Sequence, residues 1–563
     1  MTSAPAPHST SAWFETTRQL TLQLVGHASV TNTLGEATGA AFIRDLLAKI
    51  PYFHEHPEHL RVEPVPGDSL GRANVVGLVR GRGARAVVLS GHFDVVSTSN
   101  YGLLEPYACQ PLALLPRLIA DLRQQTHSQA DARALRDLES GDFLPGRGAL
   151  DMKSGLAAGI AVIQHFAADP NREGSLIFVA TPDEEDRSVG MRAIAPRLPP
   201  LAAQWGLTIE AAINLDATGD LTDGRDGQVV YLGSVGKLLV STLVVGRDTH
   251  AGYPYDGINA NYLASCITTA IECNADLADV AEGESAPPPT TLKQEDLKVG
   301  YDVTTPVAAW ACYNVLTHRA TAEQVLQRAC DVVMAAMRDG IDRLGAQASR
   351  YADRQGKPST FARAEPLVIT FAELRARVLE RGGPEALAES DALAQRLAAD
   401  HGLDLPSFSR ELTEHLWKRS GLTGPAAIVG LASLPYPSVY LERDDAREAR
   451  VRDLVLRECV QCANDLGVSL LTRGFFQGIS DMSFLGRVKR EELVFVSANT
   501  PPWGTGIRWD VSRDVTPGIP TINVGPWGRD YHQRLERVYM PYSFGVLPEV
   551  VRRLAQGLLA SEG

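Results

Sequence analysis

The chain has 563 residues, of which 44% are hydrophobic, so it can bury a large core divided among about two to four domains. Its formal net charge is −13 and no long lysine or arginine run occurs, which argues against binding to nucleic acid or to an anionic membrane. The first residues lack the pattern of a secretory signal, and no apolar stretch of about 18 residues predicts a transmembrane helix. Seven scattered cysteines fit a reducing cytoplasm better than a disulfide framework.

The first part of the chain predicts strands that alternate with helices. Two helices are predicted over residues 10–50 and another over about 154–167. Four apolar runs predict strands: NVVGLVRG, ARAVVLSGHFDVV, GSLIFVATPDEE and EAAINLDA. This alternation predicts the α/β class, with a mostly parallel sheet and helices on both of its faces. Residues 100–145 interrupt the pattern, and we expect an added, partly helical subdomain or cover near the site.

A second pattern begins near residue 236 and predicts an inserted α+β lid with a two-layer core. Its strands are KLLVSTLVVGRD, TPVAAWACYNVLTH and PLVITF, and residues 373–420 add a charged helical stretch. Four later runs are predicted as further strands of the first domain: PAAIVGLASL, VSLLTRGFF, ELVFVSAN and PTINVGP. The predicted domains are therefore a catalytic domain in two halves, 1–235 and 424–563, and a lid over 236–423.

The first candidate site residues stand where an apolar run ends. The run AVVLSGHFDVV carries His92, and Asp94 follows two residues later, so both side chains are expected on one side of the strand. A histidine that binds a metal usually needs a carboxylate to fix its tautomer, and Asp94 is placed for that role. Taken alone, the pair also fits a core histidine followed by an N-cap aspartate.

Asp151 stands in the glycine-rich segment GRGALDMKSG, just before a predicted helix. A helix N-terminus stabilises a carboxylate there, and the two carboxylate oxygens can bridge two cations. A phosphate-binding loop is the alternative, because a glycine-rich turn also precedes Lys153 and Ser154. It fails on detail, since Met152 stands where that loop needs glycine and the spacing G-x-x-x-x-G-K-S is absent.

Three later segments add acids and a histidine. In GSLIFVATPDEED, Glu184 is a candidate general base and Glu185 a candidate metal ligand, although a solvated acidic turn fits the same letters. Asp216 ends the run EAAINLDA, and His532 follows a Gly-Pro turn and is expected to open a helix. Each also fits an ordinary turn or helix-terminal residue. Two histidines and three carboxylates suit two Zn²⁺ ions per chain, with Mn²⁺ or Co²⁺ as alternatives.

These motifs resemble the dinuclear zinc metallopeptidase family that includes aminoacylases, carboxypeptidase G, cytosolic dipeptidases and succinyl-diaminopimelate desuccinylase. The likeness covers the catalytic domain and, more loosely, the lid, and the layout is most similar to the family's large arginine-utilisation branch. It implies a ligand with its orienting acid, a bridging aspartate, a general base and three further ligands. In that order these are His92 with Asp94, Asp151, Glu184, and then Glu185, Asp216 and His532.

The lid segment VVGRDTHAGYPYDGINANYLAS also resembles the family. The resemblance implies that His250 contacts the substrate carbonyl, in dimeric members from the partner subunit, so a homodimer through the lid is expected. Many members carry N/D-x-R on a lid strand to contact a substrate carboxylate, whereas this chain has Asn314-Val315-Leu316. Asn314 is thus a candidate substrate contact, and Asp481 in QGISDMSF is a second one at the rim of the site.

The resemblance implies an enzyme that hydrolyses an amide or peptide bond in a small amino-acid derivative, as an exopeptidase, a dipeptidase or an N-acyl amino acid deacylase. A water activated by two zinc ions would attack, Glu184 would accept its proton, and His250 would help to stabilise the oxyanion. Two alternatives stay open: hydrolysis of a ureido or amidino group on the same metals, and a catalytically degenerate metal-binding regulatory protein. The complete ligand set favours the enzyme.

Overall fold

A computed structural model describes residues 12–124, 128–219, 228–400, 402–507, 509 and 516–560. The chain forms two compact units. Unit 1 comprises Met1–Ser234, Val439–Arg487 and Thr516–Gly563, and unit 2 comprises Val235–Ser438 and Val488–Val515. Among the described helices, none is both long enough and apolar enough to cross a membrane.

The α-helices, in chain order, are α1 (Phe14–Gly26), α2 (Leu34–Leu47), α3 (Pro51–Glu55), α4 (Pro111–Gln124), α5 (Gln129–Ser140), α6 (Ser154–Ala168), α7 (Val189–Ile194), α8 (Leu198–Gln204), α9 (Ala260–Ile271), α10 (Ala322–Gln355), α11 (Phe371–Ala399), α12 (Leu405–Ser420), α13 (Ala446–Leu466), α14 (Arg490–Asn499) and α15 (Leu547–Leu559). The strands are β1 (Leu60–Pro64), β2 (Ala73–Arg80), β3 (Arg82–His92), β4 (Phe143–Pro145), β5 (Glu173–Thr181), β6 (Thr208–Asn214), β7 (Gln228–Tyr231), β8 (Gly233–Ser234), β9 (Gly236–Val245), β10 (Val280–Ala281), β11 (Glu284–Ser285), β12 (Thr290–Asp296), β13 (Ala308–Thr317), β14 (Leu367–Thr370), β15 (Ala426–Leu431), β16 (Val439–Tyr440), β17 (Leu470–Arg473), β18 (Thr521–Asn523), β19 (Gly528–Arg529) and β20 (Arg537–Tyr539).

The main sheet of unit 1 has the strand order β1-β2-β5-β3-β6-β18-β7-β17. Its central strands β5, β3, β6 and β18 run parallel to one another. At one edge β2 and β1 are antiparallel, and at the other β7 runs antiparallel to β18. The predicted, mostly parallel sheet is confirmed, and the carboxyl ends of its four central strands lie side by side.

Both faces of this sheet are buried. On one face, Leu89 of β3 and Phe178 of β5 join a core cluster with α6 and α15. The alternate residues Val88 and Ile177 are also buried, so the opposite face is covered as well. Helix α6 approaches the sheet closely, because a Cβ on Gly155 would lie only 2.0 Å from the carbonyl oxygen of Leu215. This close packing sets the start of α6 against the end of β6.

The segment predicted as an added subdomain is part of the core of unit 1. It contains a 3₁₀ stretch (Ser99–Tyr107), α4 and α5. Tyr101, Leu114, Leu118 and Leu138 from this segment are buried within the same core cluster as the sheet. The insertion therefore stabilises unit 1 directly and does not form a core of its own.

Unit 2 is built on a sheet with the strand order β12-β13-β9-β15-β14. Adjacent strands are antiparallel except for the parallel pair β14 and β15. Helices α9 and α10 pack on one face, where Val240 and Tyr313 are buried. Helices α11 and α12 pack on the other face, where Leu243 and Trp310 are buried. The unit therefore has three layers, not the predicted two, because the charged stretch 373–420 buries an apolar stripe against the sheet.

Two further details differ from the sequence-based expectation. The run containing β15 lies in unit 2, since β15 pairs with β9 and β14, so unit 2 extends to Ser438 rather than to residue 423. The run ELVFVSAN forms helix α14 of unit 2 and not a strand of the first domain. Glu491 and Glu492 in the first turn favour this helix, because acidic residues stabilise a helix N-terminus.

Candidate functional site

The strand ends of unit 1 bring the predicted site residues together. His92 is the last residue of β3, Glu184 and Glu185 lie in the turn after β5, and Asp216 lies just beyond the end of β6. These three strands are parallel neighbours in the sheet. Their carboxyl ends therefore meet at one edge, the usual place for a site in an α/β fold.

Asp151 lies at the centre of the group. Its Oδ1 is 3.2 Å from His92 Nε2, and its Oδ2 is 3.1 Å from His532 Nε2. The loop that carries it, Ala149–Lys153, directly precedes α6, as predicted. One carboxylate thus faces both histidines, and such a carboxylate can give one oxygen to each of two cations.

Each histidine also faces other carboxylates. His92 Nε2 lies 3.6 Å from Asp216 Oδ1 and 3.7 Å from Glu184 Oε2. His532 Nε2 lies 3.0 Å from Glu185 Oε2. The donor atoms form groups around His92 and around His532 that share Asp151, and within each group they lie within 4.8 Å of one another. The structure therefore gathers the five predicted ligands and the predicted base, while their roles stay predictions.

Asp94 contacts the turn of Glu184 and Glu185 in addition to His92, which it was predicted to orient. His92 Nδ1 lies 3.0 Å from the backbone carbonyl of Asp94 and 3.5 Å from its Oδ1. A proton on Nδ1, donated to this carbonyl, would leave the lone pair of Nε2 free to bind a cation. The Asp94 carboxylate accepts hydrogen bonds from the backbone N–H groups of Glu184 and Glu185, at 3.1 and 3.2 Å. It therefore fixes the turn that carries the candidate base.

The electrostatics of the cluster are those of buried excess negative charge. Burial raises the pKa of Glu184 well above its usual range, and the neighbouring carboxylates of Asp216 and Glu185 add to the rise. Burial also raises the pKa of Glu185 to about 7. Burial opposes the protonation of His532, but its contacts with Asp151 and Glu185 prevail and raise its pKa to about 10. Burial of this many carboxylates is energetically unfavourable unless cations balance their negative charge.

The donor set fits a pair of divalent metal ions. Imidazole nitrogens and carboxylate oxygens are ligands that Zn²⁺ accepts, and His92 and His532 each face carboxylates from different segments. The raised pKa values of Glu185 and His532 mean that these side chains hold protons in the absence of metal. Because metal ligands bind in their deprotonated form, a bound cation would replace those protons. The residues present therefore match the group that the motifs predict.

The sequence context predicts that His532 opens a helix, and this prediction is wrong. It lies in a turn segment between β19 and β20, with a backbone φ of 61°. A residue other than glycine is uncommon in this left-handed region. The His532 carbonyl accepts a hydrogen bond of 3.0 Å from Asn100 Nδ2. Its side chain is 43% exposed, far more than that of His92, so the His532 side of the cluster is open to solvent.

Asp481 lies in a buried position and not at the rim of the site. It is 1% exposed, and its Oδ2 accepts a hydrogen bond of 2.7 Å from Thr181 Oγ1 at the end of β5. Burial raises the pKa of this carboxyl group to about 7. The position indicates a role in supporting the end of β5, and a contact with substrate stays a prediction.

Arg72 supports the turn of Glu184 and was not found from the sequence. The Arg72 guanidinium contacts the buried carboxylates of Asp183, Glu36 and Asp68, the last two at 3.2 and 2.7 Å. Asp183, next to Glu184, has a φ of 70°, and its Oδ2 accepts a hydrogen bond of 3.1 Å from the backbone of Val189. The acidic run marked Asp183, but nothing in the sequence links it to Arg72.

Two of the predicted substrate contacts lie in unit 2. His250 is exposed, and its Nδ1 accepts a hydrogen bond of 3.0 Å from the backbone N–H of Gly252. Asn314 is half-buried on β13, where it is paired with Leu239 of β9 and Thr290 of β12. Both substrate contacts stay predictions.

Comparison with known proteins places the chain in a family. Residues 129–500 match Peptidase family M20/M25/M40. The chain is 31% identical to the uncharacterized protein YqjN of Bacillus subtilis over 96% of both chains. It is also 31% identical to Protein RocB of Bacillus subtilis, over 97% of this chain and 95% of RocB. A succinyl-diaminopimelate desuccinylase of Xanthomonas campestris is 31% identical over 50% of this chain and 62% of the relative.

Solved structures agree on the fold. A tripeptidase from Staphylococcus aureus superposes with a TM-score of 0.50 at 14% identity, covering 97% of this chain and 98% of that chain. The dipeptidase Dug1p from Saccharomyces cerevisiae gives a TM-score of 0.50 at 11% identity, covering 99% of this chain and 100% of that chain.

The chain belongs to peptidase family M20/M25/M40 and is an enzyme of the hydrolase class. The predicted resemblance to this family, including the likeness to its large arginine-utilisation branch, is confirmed.

Proposed function

We propose that the protein hydrolyses an amide bond in a small amino-acid derivative and that it depends on two divalent metal ions. The observation that carries the proposal is the position of Asp151, whose two oxygens face His92 and His532, with Glu184 beside His92. The likeness to a relative named as a desuccinylase supports cleavage of an amide-type bond. The protein is expected to act in the cytoplasm on a small substrate.

The residues proposed to hold the metals are His92 and Asp216 on one side, Glu185 and His532 on the other, and Asp151 on both. Zn²⁺ is the preferred metal, with Mn²⁺ or Co²⁺ as alternatives. When bound, such a pair supplies an acidified water and polarises the substrate carbonyl.

Glu184 is proposed as the general base. Its carboxylate lies 3.7 Å from His92 Nε2, and its backbone is fixed by the Asp94 carboxylate at 3.1 Å. Its side chain is only 8% exposed, so bulk water competes little for the proton. Glu184 accepts a proton from the attacking water and delivers it to the leaving nitrogen, which a single carboxylate can do in two steps.

His250 is proposed to donate a hydrogen bond to the carbonyl oxygen of the substrate as negative charge develops there. The proposal rests on the motif around His250, and the exposure of its side chain is compatible with it. A homodimer in which unit 2 supplies His250 to the partner subunit is the arrangement we favour.

A substrate panel tests the proposed function. Purified protein with added Zn²⁺ is assayed on N-acyl amino acids, dipeptides and N-carbamoyl amino acids, with Glu184→Gln as the matched control. We expect turnover of the first or second class that is lost in the variant. Turnover of N-carbamoyl compounds alone would favour the ureido hydrolase. Metal binding without turnover of any class would favour the regulatory protein.

A further inference from the structure

A buried ion pair lies behind the metal-ligand cluster. Arg147 and Glu536 are each 1% exposed, and Arg147 Nη1 is 2.6 Å from Glu536 Oε2. The other oxygen, Oε1, accepts hydrogen bonds from the backbone N–H groups of Leu150 and Asp151, at 3.1 and 3.3 Å. The Arg147 guanidinium also lies over the ring of Tyr101, 5.3 Å from its centroid. Glu536 therefore holds the backbone of the central carboxylate.

The same guanidinium reaches the second ligand loop. Arg147 Nη2 donates to Asn100 Oδ1 at 2.9 Å and lies 3.4 Å from the carbonyl oxygen of His532. Asn100 Nδ2 donates to that carbonyl at 3.0 Å. Two donors thus converge on the carbonyl of His532, whose φ of 61° is unfavourable for a residue other than glycine.

Outer ion pairs fix the strands around this loop to the inserted segment. Asp137 of α5 contacts Arg529 of β19 at 2.8 Å and Arg537 of β20 at 2.6 Å. Arg534 contacts Asp121 of α4. The insertion is therefore bound to both sides of the segment that carries His532.

We propose that Asn100, Arg147 and Glu536 are positioning residues that set Asp151 and His532 relative to each other. Asn100 belongs to the insertion between β3 and β4, so this insertion would have a function, namely to hold the His532 loop. We infer that the pair contributes to orientation more than to stability, because Arg147 contacts Asn100 and the carbonyl of His532 while Glu536 accepts from the backbone of Asp151. The inference rests on the proposed metal site and extends it from the ligands to the residues that orient them.

The group acts on one side of the cluster more than on the other. His92 ends β3 and Asp216 lies just after β6, so strands of the central sheet hold both residues independently of Arg147. His532 follows no such strand end and depends on the contacts of its carbonyl. Loss of the group should therefore weaken the cation held by Asp151, Glu185 and His532 more than the other cation.

The test is a chelator titration of Co²⁺-loaded protein, followed by visible absorption, for the wild type, Glu536→Gln and Asn100→Ala. Asn100 is exposed, so its variant removes two hydrogen bonds without placing a polar group in the core. Arg123→Gln, which loses only an exposed pair with Glu139 on the same insertion, is the matched control. His532→Ala and Asp216→Asn provide reference spectra for loss of each ion.

We expect the ion held by Asp151, Glu185 and His532 to bind about tenfold to a hundredfold more weakly in Glu536→Gln than in the wild type. In Asn100→Ala its affinity should fall by about threefold or more. The spectrum after partial removal should match that of His532→Ala, and Arg123→Gln should behave as wild type. Two results would overturn the inference: affinities for both ions within about twofold of wild type in both variants, whatever the loss of thermal stability, or equal weakening of both ions. Wild-type protein that binds no Co²⁺ would instead refute the proposed metal site.

Discussion

Asp151 and His532 come from segments far apart in the chain, yet Asp151 Oδ2 lies 3.1 Å from His532 Nε2. The other Asp151 oxygen faces His92 at 3.2 Å. A carboxylate held between two imidazoles has its two oxygens directed to two different sites. This relationship, more than any single motif, supports the proposal that two adjacent cations bind in the cluster.

Glu184→Gln should abolish most turnover and leave metal binding intact. Glutamine keeps the shape of the side chain but cannot accept the proton, so kcat should fall by about 10²–10⁴-fold. Metal content per chain and kcat are measured on the same preparation. Asp186→Asn, an exposed acid in the same turn, should leave both unchanged. A Glu184→Gln variant with more than about a tenth of wild-type kcat would show that another group is the base.

His250→Ala should lower kcat/KM while the metal content stays at the wild-type level, because His250 is proposed to contact the substrate and not the metals. If His250 acts in the partner subunit, mixing this variant with Glu184→Ala should restore roughly a quarter of the sites, since half of the dimers are mixed and each mixed dimer has one intact site. Activity is measured after subunit exchange has been demonstrated. Failure to recover activity would contradict action across the dimer.

Leu416→Ala on α12 should destabilise unit 2 by about 2–5 kcal/mol, because its side chain is fully buried against the sheet. Leu379→Ala on α11 is the matched control, since Leu379 is 44% exposed and its loss should cost well under about 1 kcal/mol. Thermal unfolding of both variants measures the difference. Equal stability of the two variants would mean that α12 is not an integral layer of the unit.

Glu549→Gln should give a pH-dependent loss of stability. Glu549 contacts Arg552 and Arg553 at 2.6 and 2.8 Å. Burial opposes ionisation, but these hydrogen bonds prevail and lower the pKa of Glu549 from 4.5 to about 2. Because the folded pKa is depressed, the stabilisation is fully present above about pH 5 and is lost as the pH falls toward 2.

Denaturant unfolding of the wild type and of Glu549→Gln at several pH values tests whether the stabilisation by Glu549 is lost as the pH falls. The variant should be less stable by up to about 1 kcal/mol at pH 7, the usual range for partly exposed pairs. The gap should narrow as the pH is lowered from 5 to 3. A gap that is constant with pH would show that the charge of Glu549 does not stabilise the fold.

The grouping of the candidate site residues could be predicted from the sequence largely because its signals are local. His92, Glu184, Glu185 and Asp216 each lie at or shortly after the end of an apolar strand, and Asp151 stands in a glycine-rich turn before a helix. In a parallel sheet such strand ends must converge. The central sheet of unit 1 was predictable for the same reason.

Features that depend on long-range contacts were not predictable. The run containing β15 is apolar enough for either sheet, and only its pairing with β9 assigns it to unit 2. The conformation of His532 follows from hydrogen bonds donated by Asn100 and Arg147, which lie hundreds of residues earlier in the chain. Glu536 stands four residues after His532, but its partner Arg147 is visible only in the folded protein.

The metal content of purified wild-type protein and of Asp151→Asn tests the central claim most directly. Because one carboxylate faces both histidines, we expect about two metal ions per wild-type chain and loss of both in the variant. Wild-type protein that holds no metal and cannot be reconstituted, or an Asp151→Asn variant that keeps both ions, would contradict the account.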